Sequence, residues 1–92
     1  MQLIRIDMEA TAPRSNNPKD ISTFYVKHDS GQVLEYTKEE LYDYLLDQST
    51  TPVFVGNSTA HLIPVLAMNG EKYIRSIPNT DTLDKIMTLR SN

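Results

Sequence analysis

The side chains best suited to recognising an anionic group lie close together near the end of the chain. Lys72, Tyr73, Arg75 and Ser76 fall within one strand-like run, and Asn79 follows it. A guanidinium offers a planar fork of donors that matches a carboxylate or phosphate, and a neighbouring aromatic ring can help to hold such a group. If the face bearing Tyr73 and Arg75 is open to solvent, these five residues could bind an anion or a partner peptide. The plainer alternative pairs Arg75 with Asp81 or Asp84 and places Tyr73 in the core, and exposed ion pairs of that kind contribute little.

Other chemistries find less support. His28 and His61 are the only imidazoles, and a metal site would need carboxylates such as Asp29 to reach them from distant segments. Exposed histidines at strand ends are the simpler expectation. Serines and histidines coexist, but no Gly-x-Ser-x-Gly turn presents a nucleophile. Glu39, Glu40, Asp43 and Asp47 sit where an exposed helix face is expected, and nothing there would desolvate a carboxylate for general acid catalysis. Gly31, Gly56 and Gly70 are too far apart for a phosphate-cradling loop. Asn57-Ser58-Thr59 matches a glycosylation acceptor, yet it reads better as a turn. No cofactor or metal is expected.

The elements that must position these residues follow from periodicity. Residues 3–9 alternate, with Ile4, Ile6 and Met8 on one side and Leu3, Arg5, Asp7 and Glu9 on the other, as in a half-buried strand. The segment 11–20, with two prolines and two asparagines, reads as a surface loop. Two β-rich runs then flank Asp29-Ser30-Gly31, a turn in which glycine supplies positive φ. Phe24 and Val26 share a face that Leu34 and Tyr36 oppose. Thr37 and Glu40 form a capping box before a helix that carries Leu41, Tyr44 and Leu45. Val53 to Val55 form a short strand ended by Gly56. Asn69-Gly70 predicts a two-residue hairpin turn that sets Leu66 opposite Tyr73, Val65 opposite Ile74 and Pro64 opposite Arg75. Pro64 implies an edge or a bulge. After Pro78, Thr80 or Asp81 could cap a second helix running to Arg90, with Leu83, Ile86 and Met87 on one face.

Length and composition limit the function classes. The chain of 92 residues has room for one core, so residues 1–92 are expected to form a single domain. With 39% hydrophobic and 23% charged residues, folding is expected. A stability of about 5–14 kcal/mol follows from typical per-residue values. Cysteine is absent, which removes disulfides, thiolate zinc sites and thiol nucleophiles. Charges at Arg5, Asp7 and Glu9 interrupt the apolar N-terminal stretch. Leu62 to Met68 is too short to span a bilayer, so a cytoplasmic protein without membrane attachment is expected. The net charge is -3, and no segment clusters Lys and Arg, which weighs against nucleic acid as a partner.

The stretch NGEKYIRSIPNTDTLDKI resembles the closing signature of a small bacterial family of unknown function, with a Gly-x-x-Tyr-Leu-Arg-Ser-x-Pro-like pattern. Gly70, Tyr73, Arg75, Ser76 and Pro78 carry the likeness. SGQVLEYTKEEL is similar to that family's strand leading into an acidic helix. Ile74 and Asn79 depart from the pattern, as does the long proline-containing loop. The resemblance implies a compact intracellular domain and transfers no mechanism.

The expected fold is α+β, a small, mostly antiparallel sheet built from two hairpins with two helices packed on it. The leading functional expectation is a noncatalytic intracellular binding or interaction domain, with a protein partner or a second copy on an exposed sheet edge. One alternative is a small enzyme or accessory subunit whose site a partner completes, signalled by a pocket holding His28 or His61 beside a carboxylate. The other is phage- or plasmid-associated nucleic-acid binding through Lys72, Arg75, Lys85 and Arg90.

Overall fold

Among the residues described by the computed structural model, 1–47, 52–78 and 84–90, the chain forms six strands, one α-helix and two 3-10 turns. In order these are β1 (Gln2–Met8), a 3-10 turn (Pro18–Asp20), β2 (Ile21–Lys27), β3 (Val33–Thr37), α1 (Lys38–Asp47), β4 (Phe54–Val55), β5 (His61–Leu66), β6 (Lys72–Ile77) and a second 3-10 turn (Lys85–Leu89). They build one sheet in the order β3-β2-β1-β4-β5-β6. Every strand pairing is antiparallel except the short β1–β4 contact. The fold is therefore α+β, with α1 touching β2 and β3 toward one end of the sheet and β5 and β6 at the other.

β1 departs from simple alternation. Its ladder with β2 shifts between Leu3 and Arg5, so Ile4 is an extra residue in a β-bulge. Leu3 and Ile6 are both fully buried, whereas Ile4 is 40% exposed. A strict period of two would have put Leu3 and Ile6 on opposite faces. The bulge lets two large side chains three positions apart enter one core.

The first hairpin has the expected faces. Phe24 opposes Tyr36 and Val26 opposes Leu34, and Gly31 sits at φ +91° in a three-residue turn closed by the His28 amide bond to the Gln32 carbonyl. The second hairpin uses the same device. The Ala67 amide donates to the Glu71 carbonyl, so the loop is Met68-Asn69-Gly70, with Gly70 at φ +87°. That extra loop residue moves the register by one: Leu66 opposes Lys72, Val65 opposes Tyr73, Pro64 opposes Ile74 and Ile63 opposes Arg75. The expected pairing of Val65 with Ile74 is thereby corrected, and Leu62 and Ile74 are the buried pair of faces. Pro64 has its place explained too. The Leu62 amide points away from β6 to the Val53 carbonyl, so the nitrogen of Pro64 lies on that same side, past the first residue of the antiparallel β4, where the strand has no partner for it.

α1 begins with the predicted capping box. The Thr37 amide donates to Glu40 Oε1 at 2.9 Å, and the Glu40 amide donates to Thr37 Oγ1 at 3.1 Å. Leu41, Tyr42 and Leu45 are buried while Glu39, Glu40, Asp43 and Asp47 face solvent. Thr37→Ala is expected to lower stability by about 1 kcal/mol in urea denaturation, since one amide loses its acceptor.

The second helix is a correction. Thr80, Asp81 and Leu83 lie outside the described residues, and Lys85–Leu89 is a 3-10 turn rather than part of an α-helix. Asp84 has extended backbone and caps that turn by accepting from the Ile86 amide. Arg90 is extended again and bridges to Ile6 of β1. With both ends drawn into contacts with the sheet, only five residues separate them. One tight turn suffices to bury Ile86 and Met87 in the common core with Leu3, Ile6, Phe24 and Ile74.

Candidate functional site

Alternation along β6 sorts the sequence-predicted site residues onto two faces. Lys72, Ile74 and Ser76 point inward toward α1 or the core, whereas Tyr73 and Arg75 point the other way. Lys72 lies against the helix: its Nζ is 3.3 Å from Asp43 Oδ1 and 5.1 Å from the centre of the Tyr42 ring. Ser76 is fully buried. Its amide donates to Asp84 Oδ2 at 3.1 Å and its Oγ to Asp84 Oδ1 at 2.5 Å. Ser76 thus has a fold role that its sequence context hides, and neither it nor Lys72 lines a site with Arg75. Asn79 lies outside the described residues.

Tyr73 and Arg75 do come together, in a cleft of about 190 Å³ that they share with Asn16, Asn17, Pro18, Lys19 and Asp84. Lys19 Nζ stands 5.2 Å from the centre of the Tyr73 ring, within cation–π range. The opposite wall is the segment 15–19, read from sequence as a surface loop. Arg90 ties it down, donating from Nη1 to the Ser15 carbonyl at 2.6 Å and from Nη2 to Asn16 Oδ1 at 3.1 Å. Asn17 caps the 3-10 turn by accepting from the Lys19 amide at 3.0 Å, and Pro18 occupies the first position of that turn. The Lys19 carbonyl accepts from Lys38 Nζ at 2.8 Å, and Lys38 also reaches Glu71. The backbone of Lys19 is therefore anchored at the start of α1 while its ammonium faces β6.

The carboxylate in this cleft is already engaged. Asp84 accepts from the Ser76 amide, Ser76 Oγ and the Ile86 amide, and it is 6% exposed. Three donors absorb much of its acceptor capacity, and Lys19 and Arg75 line the same cleft. Lys19, Asn16 and Asn17 were missed by reasoning from β6 alone. The Asn-Pro capped turn was a legible signal of local order, but nothing local joins it to a strand more than fifty residues on.

A larger cleft of about 400 Å³ lies by Lys27, His28, Asp29, Phe54, Asn57 and Ser58. His28 Nε2 is 2.8 Å from Tyr36 Oη, and its ring packs edge-on against Tyr44. Asp29 pairs instead with the terminal ammonium at 3.1 Å. The imidazole is thus used in an aromatic cluster, without a hydrogen bond to the neighbouring carboxylate. Among the described residues no three His, Asp or Glu side chains converge as a metal site, and no helix is long and apolar enough to cross a membrane. Of the basic residues weighed for nucleic acid, Lys72 lies on the face of β6 opposite Arg75 and pairs with Asp43, and Arg90 donates to residues 15 and 16.

The outer face of β1 and β2 carries a third polar cluster. Tyr25 Oη donates to Asp7 Oδ2 at 2.7 Å, and Arg5 lies over the Tyr25 ring and pairs with Asp7. The hydrogen bond to Asp7, with the charges of Asp7 and Glu35, pushes the Tyr25 phenol up to about 12, and the same bond lowers the Asp7 carboxyl. Because the tyrosine value is raised, its contribution is complete below pH 10 and is lost as pH rises toward 12. That of Asp7 is present above its ordinary value and lost as pH falls through the lowered one. Alkaline titration of phenolate absorbance should show a tyrosine ionising near pH 12, and Asp7→Asn should bring it back toward 10; an unchanged titration would remove the bond.

Comparison of the chain with protein-family models, with curated proteins and with solved structures gave no match to any of them.

Proposed function

We propose that this chain is a small noncatalytic binding domain, and that the cleft beside β6 receives an anionic group, a carboxylate or a phosphate, presented by its partner. One observation carries the reading: two cationic side chains from segments distant in sequence, Lys19 and Arg75, line one small cleft with Tyr73 and two carboxamides. Hydrogen bonds from ionised donors to an anion are the stronger kind, and a pre-positioned loop lowers the ordering cost of making them. A cleft of about 190 Å³ suits a small anionic head rather than a whole peptide strand. Within this reading the resemblance to an uncharacterised bacterial family adds an intracellular setting and no chemistry.

Titrating inorganic phosphate and acetate into isotopically labelled protein tests the reading. Amide shifts are expected to cluster at residues 16–19 and 73–75. Lys19→Glu should weaken the response at least about tenfold, equivalent to about 1.4 kcal/mol, while Lys19→Arg should keep most of it. Shifts scattered over the surface, or a response in Lys19→Glu equal to that of the parent, would remove the cleft as the binding surface.

A further inference from the structure

We propose that two copies of this chain associate through β3, pairing it antiparallel with itself about a two-fold axis at Leu34, so that their sheets run into one. The inference is independent of the anion cleft, which lies at the other edge of the sheet.

The two sheet edges are treated differently by the fold. At β6 the chain covers its own edge: the Ser76 amide is taken by Asp84, and the Pro18–Asp20 turn lies against the strand. Among the described residues nothing covers the edge of β3 in the same way. Four of its five residues are exposed, including Val33 at 46% and Leu34 at 37%. Its ladder with β2 runs without a bulge, and it contains no proline or lysine, the usual devices that keep an edge from pairing.

Hydrogen-bond parity then selects the register. The turn closes with the His28–Gln32 bond, so Leu34 and Tyr36 direct their backbone groups to β2, and Val33, Glu35 and Thr37 direct theirs outward. The Thr37 amide is already given to Glu40. Val33 and Glu35 are left as the outward pair. A two-fold axis at Leu34 sets Val33 of each copy opposite Glu35 of the other and uses all four outward backbone groups on each strand. An axis at Glu35 would place like charges directly opposite and would draw on Thr37; an axis at Val33 would call on Gly31, whose amide bonds to the His28 carbonyl.

The side chains agree with the same register. Leu34 meets Leu34 of the second copy at a pair without hydrogen bonds, where side chains approach most closely. On the outer face Lys27 opposes Val33 across β2 and β3, so the row reads Lys27, Val33, then Glu35 of the second copy. Opposite charges flank the valine at two strand spacings, roughly 10 Å, within reach of their long side chains.

Sedimentation velocity on the full chain, from about 10 μM to about 1 mM, should show a dimer fraction that rises with concentration. Leu34→Asp should weaken association at least about tenfold. Glu35→Lys should weaken it as well, and adding Lys27→Glu in the same chain should restore it, a rescue that general damage to the fold would not produce. A single monomeric species across the range would overturn the proposal, as would a dimer that persists unchanged in Leu34→Asp or a charge swap without rescue.

Discussion

Asp84→Ala is expected to remove about 3–5 kcal/mol of stability, roughly a fifth or more of the total for a chain of this size. The carboxylate is buried and gathers three donors, the Ser76 amide, Ser76 Oγ and the Ile86 amide. Alanine leaves two backbone amides and a hydroxyl without an acceptor in a place water reaches poorly, and each such group costs about 1–3 kcal/mol. The loss is also mechanical, because Asp84 joins the end of β6 to the turn that buries Ile86 and Met87. Ser76→Ala keeps the amide bond and removes one donor, so its cost should be smaller, about 1–2 kcal/mol. Urea denaturation of the three proteins, with comparable m-values, gives the comparison directly. A loss below about 1 kcal/mol for Asp84→Ala would show that the clasp contributes little to the fold.

The second large effect separates the two phenylalanines. Phe24 is fully buried, opposes Ile6 on β1 and Tyr36 on β3, and sits in the cluster that α1 covers. Phe24→Ala removes most of a ring's buried surface and leaves a cavity that strands paired on both sides cannot collapse to fill, which costs about 3–5 kcal/mol. Phe54 belongs to the two-residue strand β4 and is 38% exposed at the mouth of the larger cleft. Phe54→Ala should cost less than about 1 kcal/mol, as expected for a surface position. Thermal melts would distinguish the pair by many degrees, and equal shifts would contradict the inward face assigned to β2.

Local signals determined what local physics controls. Thr37 and Glu40 specify a helix start because each satisfies an amide of the other within four residues. Gly31 and Gly70 mark reversals because only a residue without Cβ adopts positive φ there at low cost. Alternation in β2 puts Phe24 and Val26 on one face, and that face is buried. Where long-range packing had the deciding vote, periodicity failed. A bulge at Ile4 brings Leu3 and Ile6 into one core, and one extra loop residue beside Gly70 turns Val65 away from Ile74.

The candidate site divides along the same line. Tyr73 and Arg75 could be paired from sequence because residues two apart on a strand share a face. Lys72 and Ser76 had to fall on the opposite face for the same reason, once the strand was recognised as covered by α1. The other half of the cleft depended on tertiary structure alone. Lys19 meets Tyr73 only because Lys38 and Arg90 anchor the 15–19 segment against β6, and such contacts between distant segments leave no periodicity in the chain. Side chains near in sequence are placed by backbone geometry, whereas those brought together across the sheet are placed by the packing of the whole core.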